Sequence, residues 1–137
     1  LKFSETTYFK SLEFKTFDFQ FGIMYLCDTF FISEVKSDIH VDKKIVETIM
    51  KTLMDFYGEE AEICFISNRV NSYSSDPRQW LKALENFDIF YAGAIVFYNL
   101  TNLMNFEIES RMCPKPVKGF GALGEAIEWI SSIKEIN

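Results

Sequence analysis

The chain has 137 residues, 48% of them hydrophobic and 25% charged, which suits one soluble domain able to bury its own core. Its net charge of −6 argues against a nucleic-acid partner or an anionic membrane surface, because neutralising phosphates takes clustered Lys and Arg. No apolar run approaches the roughly 18 residues that a membrane span needs and no signal peptide is visible, so a cytoplasmic protein without membrane insertion is expected.

Residues 1 to 15 carry no clear period and read as a loosely placed N-terminal arm. From 16 to 26, TFDFQFGIMYL alternates strictly. Phe17, Phe19, Phe21, Ile23 and Tyr25 fall on one side, with Asp18, Gln20 and Gly22 on the other, so one strand with a single apolar face is predicted. Gly22 marks a bulge in it. A short turn over Cys27, Asp28 and Thr29 leads to a second strand, 30 to 36, returning antiparallel.

A helix over 42 to 57 follows from Ile45, Ile49, Leu53 and Phe56 at helical spacing, with Asp42 as cap and Gly58 as stop. AEICFIS, 61 to 67, and YAGAIVFY, 91 to 98, are apolar on both sides, as strands in the middle of a sheet are. Helices are predicted over 76 to 87, 100 to 111 and 122 to 134. VKGF, 117 to 120, follows a proline and suits an edge strand. Strands alternating with helices imply right-handed crossovers and a mostly parallel sheet. The expected fold is α/β: one domain over 1 to 137, about five strands with an antiparallel N-terminal strand, and about four helices.

Catalytic and cofactor signals are few. His40 is the only histidine, and Cys27, Cys64 and Cys113 are far apart, so no metal set is expected and the thiols read as reduced. No glycine pattern cradles a nucleotide and no serine sits in a nucleophile elbow. No cofactor, no catalytic residue and no enzymatic activity are expected.

The stretch NSYSSDPRQW, 71 to 80, is the most informative. Pro77 suits the first helical position, where its missing N–H costs nothing. Asp76 is then the N-cap, and Gln79 completes a capping-box pattern by reaching back to the cap N–H. Ser74 and Ser75 fall between a parallel strand and a helix start, at the strand ends where open α/β sheets bind ligands.

ICFISNRVNSYSSDPRQWL, together with FYAGAIVFYN and PVKGFGALGEAIEWI, resembles the STAS domain of anti-sigma-factor antagonists, in its SpoIIAA-like branch. Phe120, Glu125, Ala126 and Trp129 match that branch, and small bacterial proteins of unassigned function share the type. The resemblance covers roughly residues 16 to 134. It implies a STAS fold and a regulatory module without enzymatic activity, docking a protein partner through the loop 68 to 76 and the helix after it. Ser74 is then the positional match to the phosphoacceptor, with Ser75, Asn68, Arg69, Asn71 and Tyr73 as the residues around it. The family pattern has Asp before the serine and Gly soon after, whereas Tyr73 and Ser75 stand here.

A second reading is a carrier or sensor of a small apolar molecule, with some of the 15 Phe residues and Met24, Met50, Met54, Met104 and Met112 lining a pocket. The Phe-rich first strand also makes a homodimer through the N-terminal region an expectation, unless the arm folds back over the same face.

Overall fold

The computed structural model describes residues 1 to 136, and side chains as far as Ile133. One six-stranded sheet organises it, with β1 (Lys15–Phe19), β2 (Gly22–Leu26), β3 (Phe30–Val35), β5 (Ile63–Asn68), β7 (Phe90–Val96) and β8 (Val117–Phe120) side by side in that order. The pairs β1–β2 and β2–β3 are antiparallel, and β3–β5, β5–β7 and β7–β8 are parallel. Two short strands, β4 (His40–Val41) and β6 (Ser74–Ser75), form a separate parallel pair. The helices are α1 (Tyr8–Ser11), α2 (Lys43–Tyr57), α3 (Pro77–Asn86), α4 (Leu100–Met112) and α5 (Leu123–Ile136). The expected mostly parallel α/β sheet with an antiparallel N-terminal end is therefore present, with one more strand in it than expected.

The extra strand comes from the segment predicted as one strand over 16 to 26. It is a hairpin, β1 and β2, joined by Gln20 and Phe21. Phe19 pairs with Gly22 and Phe17 with Met24, so Phe17, Phe19, Met24 and Leu26 share a face while Ile23 and Tyr25 turn to the other. A tight two-residue turn reverses the chain without breaking the alternation in sequence, which is why a period of two could not reveal it. Gly22 shows where the turn must be. Its φ is +155°, and a Cβ there would collide with the Glu34 carbonyl oxygen on β3.

Both faces of the sheet are covered. On one face, Tyr25, Phe30, Ile32, Cys64, Ile66, Ala92, Ala94 and Val96 pack against the Leu123, Ala126, Ile127 and Ile130 side of α5. The opposite face packs against α2 through Val46, Ile49, Met50 and Leu53, and against α3 through Ala83 and Leu84. Asp42 caps α2 by accepting from the Ile45 N–H at 3.0 Å, and the Tyr57 hydroxyl at the far end reaches the Cys27 carbonyl at 2.6 Å.

Residues 1 to 14 are not a loose arm. A 3-10 turn at Phe3–Glu5 and the single turn of α1 lie on the α5 face, where Phe3 has 0% of its surface exposed. The ring of Phe3 meets those of Phe9, Phe14 and Tyr25 at centroid distances of 5.5, 5.2 and 4.7 Å. Glu34, itself buried, accepts the Phe3 N–H at 2.7 Å and an Asn68 amide N–H at 2.7 Å. A mixed local sequence hides this because the contacts that tie the arm to the sheet, at Tyr25, Glu34 and Asn68, lie more than twenty residues away. Replacing Phe3 by Ala should lower stability by about 3 kcal/mol, as loss of a fully buried Phe does. Urea unfolding measures this, and a change below about 0.5 kcal/mol, the range of ordinary surface changes, would mean the arm is not part of the core.

Candidate functional site

The parallel strands run in register, so side chains on one face line up in rows across them. Phe31, Phe65, Gly93 and Val117 form one row, and Ser33, Ser67, Ile95 and Gly119 form the next. In the first row the Phe65 ring lies flat over Gly93, in space that a Cβ would occupy. The second row places two serines at the centre of a sheet that is otherwise mainly apolar. Small side chains there leave the helices above with nothing to touch, and a cavity of about 90 Å³ results.

Its floor is Phe31, Ser33, Phe65, Ser67 and Ile95. One wall is α3, through Pro77, Trp80, Leu81 and Leu84, and another is the last turn of α4, through Glu109 and Met112. Val41, Ser75, Tyr73 and Cys113 close the rest. The lining is mainly apolar, with its polar groups gathered beyond the carboxyl ends of β3 and β5. Ligands bind in open α/β sheets at this end of the strands.

The polar group centres on Arg69. Its Nη2 donates to Glu109 Oε2 at 2.6 Å, and its Nε to the Ser67 hydroxyl at 3.4 Å. The Ser67 and Tyr73 hydroxyls are 3.3 Å apart. The Arg69 side chain is 12% exposed and that of Glu109 24%. Burial works against the charged guanidinium, but Tyr73 and Glu109 beside it outweigh that and hold its pKa above the ordinary arginine value. Arg69 is the only cationic side chain among the described residues of the lining.

The loop 68 to 76 is tied down along its length. The Asn71 amide donates to the Val35 carbonyl at 3.0 Å, and the Ser74 N–H to the Ile39 carbonyl at 3.0 Å. The sequence-predicted site residues therefore separate. Arg69, Tyr73 and Ser75 face the cavity. Asn68 points through the sheet to the other face, where it meets Glu34 and accepts from the Tyr98 hydroxyl at 2.6 Å. Burial, with Glu34 nearby, pushes the Tyr98 phenol up to about 12. Asn71 serves the backbone of β3, and Ser74 is exposed, its hydroxyl 2.8 Å from His40 Nδ1.

Asp76 caps α3, accepting from the Arg78 N–H at 3.1 Å. Gln79 does not close a capping box onto the cap N–H. The Asp76 N–H is already given to the Val41 carbonyl at 3.3 Å, so the Gln79 side chain bonds to the Asp76 carboxylate, which with the Arg78 side chain holds that carboxyl below the ordinary range. Sequence reasoning passed over Ser33, Ser67 and Glu109. Two small polar residues at matching places in two apolar strands were the available signal for the first pair. Of the five methionines, Met112 lines the cavity, Met24 and Met50 are core, Met54 packs partly buried against that core, and Met104 is exposed.

Among the described residues, no group of three or more His, Cys, Asp or Glu side chains is placed to hold a metal ion. Among the described residues, no helix is long and apolar enough to cross a membrane. Cys27 and Cys64 are buried, and burial pushes the Cys27 thiol up to about 12.

No family profile and no curated protein matches the sequence. Among solved structures, the chain is similar to an uncharacterised protein of the DUF3478 family from Shewanella loihica PV-4, which has a SpoIIAA-like fold. The TM-score is 0.57 at 13% identity, over 87% of this chain and 93% of that one. The chain thus has a SpoIIAA-like fold, in agreement with the resemblance in its sequence, and an identity this low carries the fold alone.

Cys113 is only partly covered, and burial raises its pKa. Raised thiol pKa values mean less thiolate at a given pH, and reactivity follows the thiolate. At pH 8 a thiol reagent should modify Cys113 first, more slowly than a free cysteine, with Cys27 and Cys64 reacting only on unfolding. Mass spectrometry of the labelled peptides checks the order. The Arg69–Glu109 pair should show a coupling of about 1–3 kcal/mol in a double-mutant cycle of Arg69→Met and Glu109→Gln, followed by urea unfolding.

Proposed function

We propose that the protein is a non-enzymatic binding module that takes a small apolar molecule into the cavity between the sheet and the α3–α4 side. The observation that carries this reading is the cavity itself. An apolar chamber, closed by a tied-down loop and opening on one cluster of polar groups, has the form of a small-molecule site. Close packing makes such spaces rare in a domain core. At about 90 Å³ it is smaller than the ~150 Å³ apolar cavity that admits benzene. The occupant is therefore slim, a short alkyl chain, and neither an aromatic ring nor a whole lipid.

A second reading, regulatory docking of a protein partner through the loop 68 to 76 and α3, is favoured by how that loop is built. Tyr73 and Ser75 face the cavity while Ser74 and Arg78 face solvent. Whatever fills the cavity touches the inner side of a surface available to a partner. A phosphate on Ser74 would meet His40 and stand two residues from Asp76, so His40 is the favourable neighbour and Asp76 the repelling one. In this reading the bound molecule is the signal and the loop is where it is read out.

The first reading is tested with Val117→Phe, a change at the edge strand that places a ring into the cavity. Short primary alcohols from butanol to hexanol, titrated against the protein while tryptophan fluorescence, to which Trp80 contributes from the cavity wall, is followed, should give saturable binding. The variant should lose it while its unfolding free energy stays within about 3 kcal/mol of the parent, the range for groups added to a packed core. Equal binding by both proteins would place the alcohols elsewhere.

A further inference from the structure

The polar end of the cavity is unusual in one respect: its only cation is nearly out of water and held by a carboxylate from another element. Arg69 follows β5 and Glu109 stands in the last turn of α4. We propose that the molecule taken up is an apolar carboxylic acid, whose carboxylate replaces Glu109 on Arg69 while its hydrocarbon part lies over Ser33 and Ser67. This inference rests on the proposed binding function and names the chemical class of its ligand.

Three features carry it. First, the guanidinium presents a planar fork that matches both oxygens of a carboxylate, yet its contact with Glu109 uses one nitrogen, Nη2. A free acid entering along the cavity can meet the fork with both oxygens. Second, the two partners differ in freedom. Arg69 is held by Ser67 and Tyr73 and is 12% exposed, whereas Glu109 is twice as exposed and can turn into water when displaced. The exchange keeps a buried positive charge neutralised throughout, so no unpaired charge is left inside. Third, the remainder of the chamber selects against anything more polar than one charged end. Beyond Arg69 the floor and walls include Phe31, Phe65, Ile95, Trp80 and Leu84, whose surface is mainly hydrocarbon, and no second cationic side chain is among the described lining residues.

The charge of the whole protein does not assist. At −6 it repels an acid at long range, so recognition rests on the local field of Arg69 in a low-dielectric setting. Glu109 then acts as a built-in competitor that sets the affinity.

Calorimetric titration of the purified protein with butanoate, pentanoate and hexanoate, each beside its primary alcohol, tests the inference. A hydrogen-bonded charge pair distinguishes ligands by roughly 10-fold or more, so each acid should bind at least about 10-fold more tightly than its alcohol. Arg69→Gln should remove that preference, acid and alcohol then binding alike. Glu109→Gln should raise the preference for the acids several-fold over the alcohols, since the competitor loses its charge. Arg69→Lys keeps the charge without the fork and should recover only part of the preference. Circular dichroism establishes that each variant is folded, and Glu109→Gln carries the test alone if the Arg69 variants are not. Equal affinity for acid and alcohol, or acid binding unaffected by both Arg69→Gln and Glu109→Gln, would overturn the inference while leaving the apolar binding site in place. Binding of neither class to the parent protein would overturn the proposed function itself.

Discussion

The structure depends on one constraint, that the parallel strands at the centre of the sheet are buried on both sides. Cys64 and Ile66 face α5 while Phe65 and Ser67 face the opposite layer, and β7 repeats the division with Ala94 and Ile95. Backbone pairing fixes these side chains in rows, so the size of each residue decides how closely a helix can approach. Where a row holds Phe31 and Phe65, space is filled and Gly93 is needed beneath the ring. Where the next row holds Ser33 and Ser67, it is left open. The cavity thus starts from strand register, and the loop 68 to 76 with α3 and the end of α4 encloses it.

The same alternation separates two polar clusters that are adjacent in sequence. Ser67, Asn68 and Arg69 are consecutive, yet Ser67 and Arg69 belong to the cavity and Asn68 to the opposite face. On that face Glu34 and Asn68 hold the N-terminal segment through backbone groups of Phe3 and Leu1. The buried carboxylate there has hydrogen-bond donors that the chain itself supplies, which is how a buried charge is made tolerable. The cluster serves assembly of the fold. The cluster around Arg69 differs in that its anionic partner comes from α4, the least deeply packed of the long helices.

That helix explains another feature of the surface. Leu100, Met104, Ile108 and Met112 follow one another at intervals of four and are 49 to 71% exposed, while Leu103 and Phe106 turn inward. Phe106 lies against Phe97 at 5.9 Å and fits over Gly119, where a Cβ would crowd both rings. With apolar residues on both sides, α4 gives no clear amphipathic pattern. Its attachment rests on a few specific contacts, among them Phe106 on the sheet and Glu109 on Arg69.

The order of elements, the two-sided central strands, the helix starts at Asp42 and Asp76 and the edge strand after Pro116 follow from local chemistry, and the sequence by itself determined them. Periodicity, capping and proline placement act within a few residues, and a short window contains everything they need. The sequence also pointed to the loop after β5 as the place of interest, because strand ends and helix starts meet there. What only the tertiary structure decided is which residues of that loop act together. A hairpin turn hidden inside an unbroken alternation sent Ile23 and Tyr25 to a different face from Phe17 and Phe19. The pairing of Ser33 with Ser67, the docking of Phe3 under Glu34, and the meeting of Arg69 with Glu109 join residues 31 to 40 positions apart. Such pairings depend on strand register and helix placement, which are settled by packing of the whole chain, and no local pattern carries that information.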